Sequence, residues 1–312
     1  MEVLSFDGQT WAQSDVDVAG VREQVRKDTL TWIRAAGLPV EALEALRQVF
    51  EIHPLAMEDV QSARQRPKVE AYGDLTFTVV RIPRWHDELE WIQVGLFMGP
   101  DYLITASNHK LPELDVVAKR LLGKGLPRPA VVALFHQALD ALVDAWFPYM
   151  DELESLVEEL EAKASQRADH ETLTDIREVK QVTSKTRKVT GPMRDAILGL
   201  ERGDYPNVDA DARIYLRDVS DHMVRLAERL EHVKEMSMIA QESWNATLAN
   251  SQNQAMKRLT VVFALFLVPT FLAGLGGMNF EGVPDWPFET VALALFGLVA
   301  AGLGVSLWKR WL

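Results

Sequence analysis

Asn279 closes the run Gly277-Met278-Asn279 between two uncharged apolar stretches, and this is where the sequence can do chemistry in a bilayer. The loop after it carries Glu281 and Asp285 but neither Lys nor Arg, an acidic face suited to gathering cations; plain loop polarity is the simpler alternative. Carboxylates also cluster at Asp151, Glu152, Glu154, Glu158, Glu159 and Glu161, where a solvated helix side is a more ordinary reading than a divalent-ion face. The seven histidines, at 53, 86, 109, 136, 170, 222 and 232, include no pair at a tight ligand spacing. With no cysteine, the chain also lacks the thiolates that Zn²⁺ favours and has no disulfides. A Gly-rich phosphate loop, an H-E-x-x-H helix and a nucleophile elbow are all missing, so the chain does not read as an enzyme.

The elements that must position Asn279 are two membrane spans. Residues 259–276 and 290–308 are free of charge and match the roughly 20 apolar residues a spanning helix needs. The connection is so short that the two cross as a hairpin. Lys257 and Arg258 precede the first span and Lys309 and Arg310 follow the second, which places both termini in the cytoplasm of a cell (inner or plasma) membrane. The opening MEVLSFDGQTW is acidic and polar, unlike a signal peptide, so insertion falls to the two spans.

Ahead of the spans lies a charged, water-facing portion. The 312 residues are 25% charged with a net charge of -12, which argues against a nucleic-acid partner and toward cations. Residues 1–125 read as an α/β domain, with strands over 75–80, 91–98 and 102–105 and a helix over 40–50 bracketed by Pro39 and Pro54. From Pro129 the pattern turns helical, with a bend expected at Pro148 and a second helix over 171–200 that ends in the turn 203–207. Residues 208–268 contain neither Gly nor Pro, so one helix can run from the cytoplasm into the first span. Along it Leu216, Val219, Met223, Leu226, Leu230 and Val233 form the seam of a coiled coil or bundle. Two spans cannot enclose a pathway, so transport requires a homo-oligomer. The first span would line the axis, and the second, with Ala294, Gly297, Ala300, Ala301, Gly302 and Gly304, would pack outside it.

These residues resemble the CorA family of magnesium transporters. The likeness rests on Gly277-Met278-Asn279 after the penultimate span, the acidic loop and the basic tail. It extends to Met256-Lys257-Arg258-Leu259-Thr260, Pro269-Thr270-Phe271, Arg217-Asp218-Val219-Ser220-Asp221-His222, His53-Pro54-Leu55 and Arg66-Pro67-Lys68-Val69-Glu70. The resemblance implies an α+β membrane protein assembled as a funnel-shaped homopentamer. Its parts would be a cytoplasmic α/β domain (1–125), a helical bundle and stalk (126–258), a pore-lining span (259–278), an external loop (279–287), a second span (288–308) and a basic tail (309–312).

In that family Gly277, Met278 and Asn279 would form the selectivity filter for a divalent cation, Mg²⁺ first and also Co²⁺ or Ni²⁺. Mg²⁺ sheds water reluctantly, so a ring of neutral amide and carbonyl oxygens can hold it through its hydration shell without trapping it. Glu281 and Asp285 would concentrate cations at the mouth. The implied pore-lining set is Asn253, Met256, Leu259, Phe263, Leu267, Thr270 and Gly274, with Met256 and Leu259 as an apolar gate; plain helix packing explains that pair equally well. Cytoplasmic Mg²⁺ held between subunits would close the ring, with Asp218 as the stalk ligand and Asp87 or Asp221 as partners. An ion pair of Asp218 with Arg217 or Arg225 is the plainer reading. Two alternatives stand beside this: a ZntB-like proton-coupled zinc transporter of the same superfamily, and a coiled-coil scaffold that the hairpin only tethers.

Overall fold

The computed structural model describes residues 1–17, 20, 21, 23, 25, 30–62, 64–85, 89–126, 130–277 and 287–309. They form two compact units, one of residues 1–160 with 174–239, the other of residues 161–173 with 240–312.

The first unit contains a seven-stranded sheet: β1 (Glu2–Phe6), β2 (Trp11–Asp15), β3 (Leu30–Ala36), β4 (Lys68–Tyr72), β5 (Leu75–Trp85), β6 (Leu89–Met98) and β7 (Tyr102–Ser107). The order is β2-β1-β3-β7-β6-β5-β4, antiparallel throughout except for the parallel β3–β7 pair, in which Ile33 faces Ile104. The three strands read from the sequence lie within β5, β6 and β7. Their runs of buried Val, Ile and Phe are what mark central strands covered on both faces.

Helix α1 (Val40–Val49) buries Leu43 and Leu46 against the sheet core, and α2 (Pro54–Gln61) follows it directly. Pro54 therefore starts a helix as well as ending the connection before it. Its fixed φ suits the first helical turn, and the His53 ring nitrogen accepts the Leu55 N–H there. Helix α3 (Pro112–Lys124) opens on proline in the same way and buries Leu114, Val117, Ala118 and Leu121 at three- and four-residue spacing.

The bend expected at Pro148 lies elsewhere. Helix α4 (Val131–Asp144) ends at Ala145, and α5 (Trp146–Gln166) begins immediately after it. Pro148 thus falls in the first turn of a new helix, where no backbone N–H is needed. Helix α6 (His170–Arg202) runs through Pro192, and the 203–207 turn after it brings the chain round into α7. Gly203 is required at that turn, because a Cβ there would stand 2.5 Å from the Tyr205 ring and 2.7 Å from the Gly199 carbonyl oxygen. Asn207 takes the left-handed conformation, φ 64°, and its amide donates to the Asp74 carbonyl. The Thr76 hydroxyl likewise donates to the Pro206 carbonyl at 2.7 Å, so the turn is tied to the start of β5.

Helix α7 (Ala210–Gly276) is a single 67-residue element that continues past Pro269, and α8 (Phe288–Trp308) follows. All six seam residues of α7, Leu216 through Val233, are buried. The acidic run on α5 is partly consumed by α7. Arg229 bonds both Glu154 oxygens, at 2.8 and 2.6 Å, and Asp151 at 2.6 Å, and these carboxylates, Glu154 foremost, hold the guanidinium more firmly protonated than usual. Asp151 and Glu154 are thus ion-paired helix contacts and not open metal ligands.

Candidate ion-conducting site

Within the second unit, the C-terminal part of α7 meets α8 along one face. Val261, Leu265 and Pro269 are half-buried, as are Ala292, Leu295, Val299 and Gly302 of α8, and Ser306 is buried with its hydroxyl on the Gly302 carbonyl. A Cβ at Gly302 would lie 2.5 Å from Leu265 Cδ2, whereas Gly297 and Gly304 have nothing within 4 Å. The close approach thus rests on Gly302. Gly297, Ala294, Ala300, Ala301 and Gly304 are exposed and lie off this contact, because only one side of α8 meets α7. Gly302→Leu is expected to destabilise the hairpin by about 1–3 kcal/mol, the usual cost of overpacking, while Gly297→Leu leaves it unchanged. Thermal melting of the detergent-purified protein measures the difference.

The expected pore-lining residues occupy the opposite side of α7. At about 100° per residue, Met256, Leu259, Phe263, Leu267, Thr270 and Gly274 fall in a sector roughly 80° wide, centred about 180° from Val261 and Leu265. All six are exposed in one chain, Phe263 and Leu267 each to 69%, and Asn253 just before them is exposed as well. The stripe is therefore not explained by packing against the second span.

Gly277 is the last described residue of the motif, and its N–H bonds the Ala273 carbonyl at 3.0 Å as α7 ends. Met278, Asn279, Glu281 and Asp285 lie outside the described residues, as does Asp87, which falls between β5 and β6. Pro287 caps α8, accepting from Thr290 N–H.

Of the three carboxylates expected to bind cytoplasmic metal, Asp218 and Asp221 are exposed on α7. Arg217, one of the two arginines considered for Asp218, pairs with Glu201 instead. Asp218 lies 3.9 Å from His222 Nε2 and groups with His136 and Asp140 of α4. A second trio, Asp140, Asp144 and His222, shares Asp140 with the first. No two histidines stand at ligand spacing along the chain, yet the fold brings His136 and His222 to one place. The available signal was helical: His136, Asp140 and Asp144 recur every fourth residue on α4, as do Asp218 and His222 on α7.

The family described as CorA-like Mg²⁺ transporter protein matches residues 27–309 of this chain. The cobalt/magnesium transport protein CorA of Thermotoga maritima is 28% identical, across all of this chain and 92% of its own length. The zinc transport protein ZntB of Pectobacterium atrosepticum is 25% identical over 94% of this chain and 91% of its own. Among solved structures, the CorA magnesium transporter from Methanocaldococcus jannaschii superposes with a TM-score of 0.81 at 18% identity, covering 100% of this chain and 99% of that one. The fold is the CorA fold: a mixed α/β domain followed by a long helix that enters the first of two apolar C-terminal helices. Since the match begins just before β3 and runs through both apolar helices to Lys309, this chain belongs to the CorA-like Mg²⁺ transporter family, a family of transporters and not of enzymes.

Proposed function

We propose that the chain conducts a hydrated divalent cation, Mg²⁺ first with Co²⁺ and Ni²⁺ as further substrates, inward across a cell membrane through a homopentamer. The observation that carries this reading is the apolar surface of α7 that α8 leaves uncovered, on which Met256, Leu259, Phe263, Leu267, Thr270 and Gly274 share one side, with Phe266 and Phe271 exposed beside them. Facing copies of itself, the stripe lines a pathway in which Met256 and Leu259 form an apolar constriction that closes by dewetting. Asn279 amides and backbone carbonyls of Gly277 and Met278 hold the ion through its water at the outer mouth, and Glu281 and Asp285 raise the local cation concentration. Both chain termini face the cytoplasm, by the basic residues flanking the spans. Asp218 takes part in metal control between subunits, with Asp87 or Asp221 as partner.

The similarity to ZntB favours one second reading, proton-coupled zinc transport. Neither span carries an ionisable residue between residues 259–276 or 290–308, which favours conduction that needs no proton. Proteoliposomes holding the purified protein and an indicator dye decide between the two. Mg²⁺ influx that is indifferent to a proton gradient supports the channel, and zinc influx that requires the gradient overturns it in favour of the second reading.

A further inference from the structure

The first span carries three exposed phenylalanines, Phe263, Phe266 and Phe271, and they do not point the same way. At about 100° per residue, Phe263 falls at the centre of the sector that faces away from α8, directly opposite Val261 and Leu265. Leu259 and Leu267 lie about 40° to either side of it, and Phe266 and Phe271 about 60° and 80° away. Once copies of α7 face one another, the bulkiest side chain of the stripe is the one aimed most squarely at their common axis. Nothing polar accompanies it there: from Met256 to Leu267 the stripe is Met, Leu, Phe and Leu over about 16 Å of path.

From this placement we propose that Phe263, rather than Met256 or Leu259, is the residue that limits conduction, five phenyl rings closing the pathway near the start of the span. The inference rests on the pentameric pore proposed above and names the residue that controls it. Neighbouring helices about 8–10 Å apart in a ring of five have their axes about 7–8.5 Å from the centre, and with Cα atoms about 2.3 Å from each helix axis this leaves roughly 5–6 Å inside every inward Cα. Mg²⁺ with its waters, their oxygens at about 2.0–2.1 Å and a water radius of about 1.4 Å, measures roughly 7 Å across. At Gly274, whose Cβ position is open, the ring leaves room for that ion. At Phe263 the phenyl rings fill the space, and the apolar stretch offers no polar side chain to exchange for the ion's waters. Leu259, turned about 40° from the axis, and Met256, unbranched and flexible, close the path less completely. Passage therefore waits on a widening or a rotation of α7 that carries Phe263 off the axis.

The test is dye-reported Mg²⁺ influx into proteoliposomes at matched protein content, using full-length variants whose elution volume equals that of wild type. Phe263→Ala is expected to raise influx at least about tenfold, the effect of roughly 1.4 kcal/mol taken off a barrier. Met256→Ala/Leu259→Ala should raise it less, and Phe271→Ala, the same change about 80° away, should leave it at the wild-type rate. Phe263→Ala/Asn279→Ala should be as silent as Asn279→Ala, because the ion still has to pass the motif. Should Phe263→Ala fail to assemble, Phe263→Leu keeps an apolar side chain of smaller size and is expected to raise influx in the same direction. Wild-type influx in an assembled Phe263 variant, an equal rise from Phe271→Ala, a larger rise from Met256→Ala/Leu259→Ala, or flux through Phe263→Ala/Asn279→Ala would each overturn this inference alone. Silence toward Mg²⁺ in wild type and in Phe263→Ala alike would overturn it together with the conduction reading.

Discussion

Asn279→Ala is expected to abolish Mg²⁺ influx while leaving the protein folded and assembled. A hydrogen bond to a charged group contributes about 1.5–3 kcal/mol, so losing even one such contact to the hydrated ion lowers occupancy roughly tenfold or more. In a ring every subunit loses its amide together, and no neighbouring side chain replaces it, because Gly277 and Met278 offer only backbone oxygen and a thioether. The measurement is dye-reported flux in proteoliposomes, with matched protein content and elution volume. Glu281→Gln should behave differently, with weaker influx at low Mg²⁺ that recovers as Mg²⁺ is raised, because a charge that only concentrates ions is replaced by concentration itself. Equal flux from Asn279→Ala and wild type would remove the filter from the motif.

Trp146→Ala should cost about 3–5 kcal/mol, the usual range for emptying a buried aromatic site, with Tm falling by roughly 10 °C. Trp146 is fully buried at the start of α5, and its indole N–H donates to the Arg81 carbonyl of β5 at 3.0 Å. Its ring lies 5.3 Å from Trp91 of β6 and edge-on to Tyr149, whose hydroxyl pairs with Thr186 of α6 at 2.6 Å. Trp146 thus ties α5 to the sheet, and its neighbour Tyr149 ties α5 to α6. Trp146→Phe keeps most of the packing and gives up the hydrogen bond, so a loss of about 1 kcal/mol is expected. Thermal unfolding of the purified full-length variants separates the two. A loss under about 1 kcal/mol for the alanine variant would show that the helices are held to the sheet by other contacts.

Much of this architecture was legible in one dimension. Uncharged runs of spanning length announce membrane helices because a bilayer offers backbone groups no partners, and the stretch free of Gly and Pro allows α7 to run unbroken. The α7 seam was legible for a similar reason, since a three- and four-residue repeat defines one face of a helix whatever covers it. The motif and its flanking residues were sufficient to suggest the family that the sequence match then established. Prolines were harder to read. Pro54 and Pro112 begin helices and Pro148 falls in the first turn of one, because the same missing N–H that breaks a helix interior costs nothing there.

Local period and composition carry the two spans, the acidic loop, the buried face of α7 and the helical middle of the chain, and these are readable without coordinates. Tertiary structure decided which distant residues meet. It turned Arg229 onto Asp151 and Glu154, removing them as open ligands, and it left the Met256-to-Gly274 stripe uncovered by α8. It also set His222 of α7 against Asp140 and Asp144 of α4, about 80 residues earlier. Spacing along a chain fixes which side chains share a helix face. Only the packing of one helix on another fixes what that face touches.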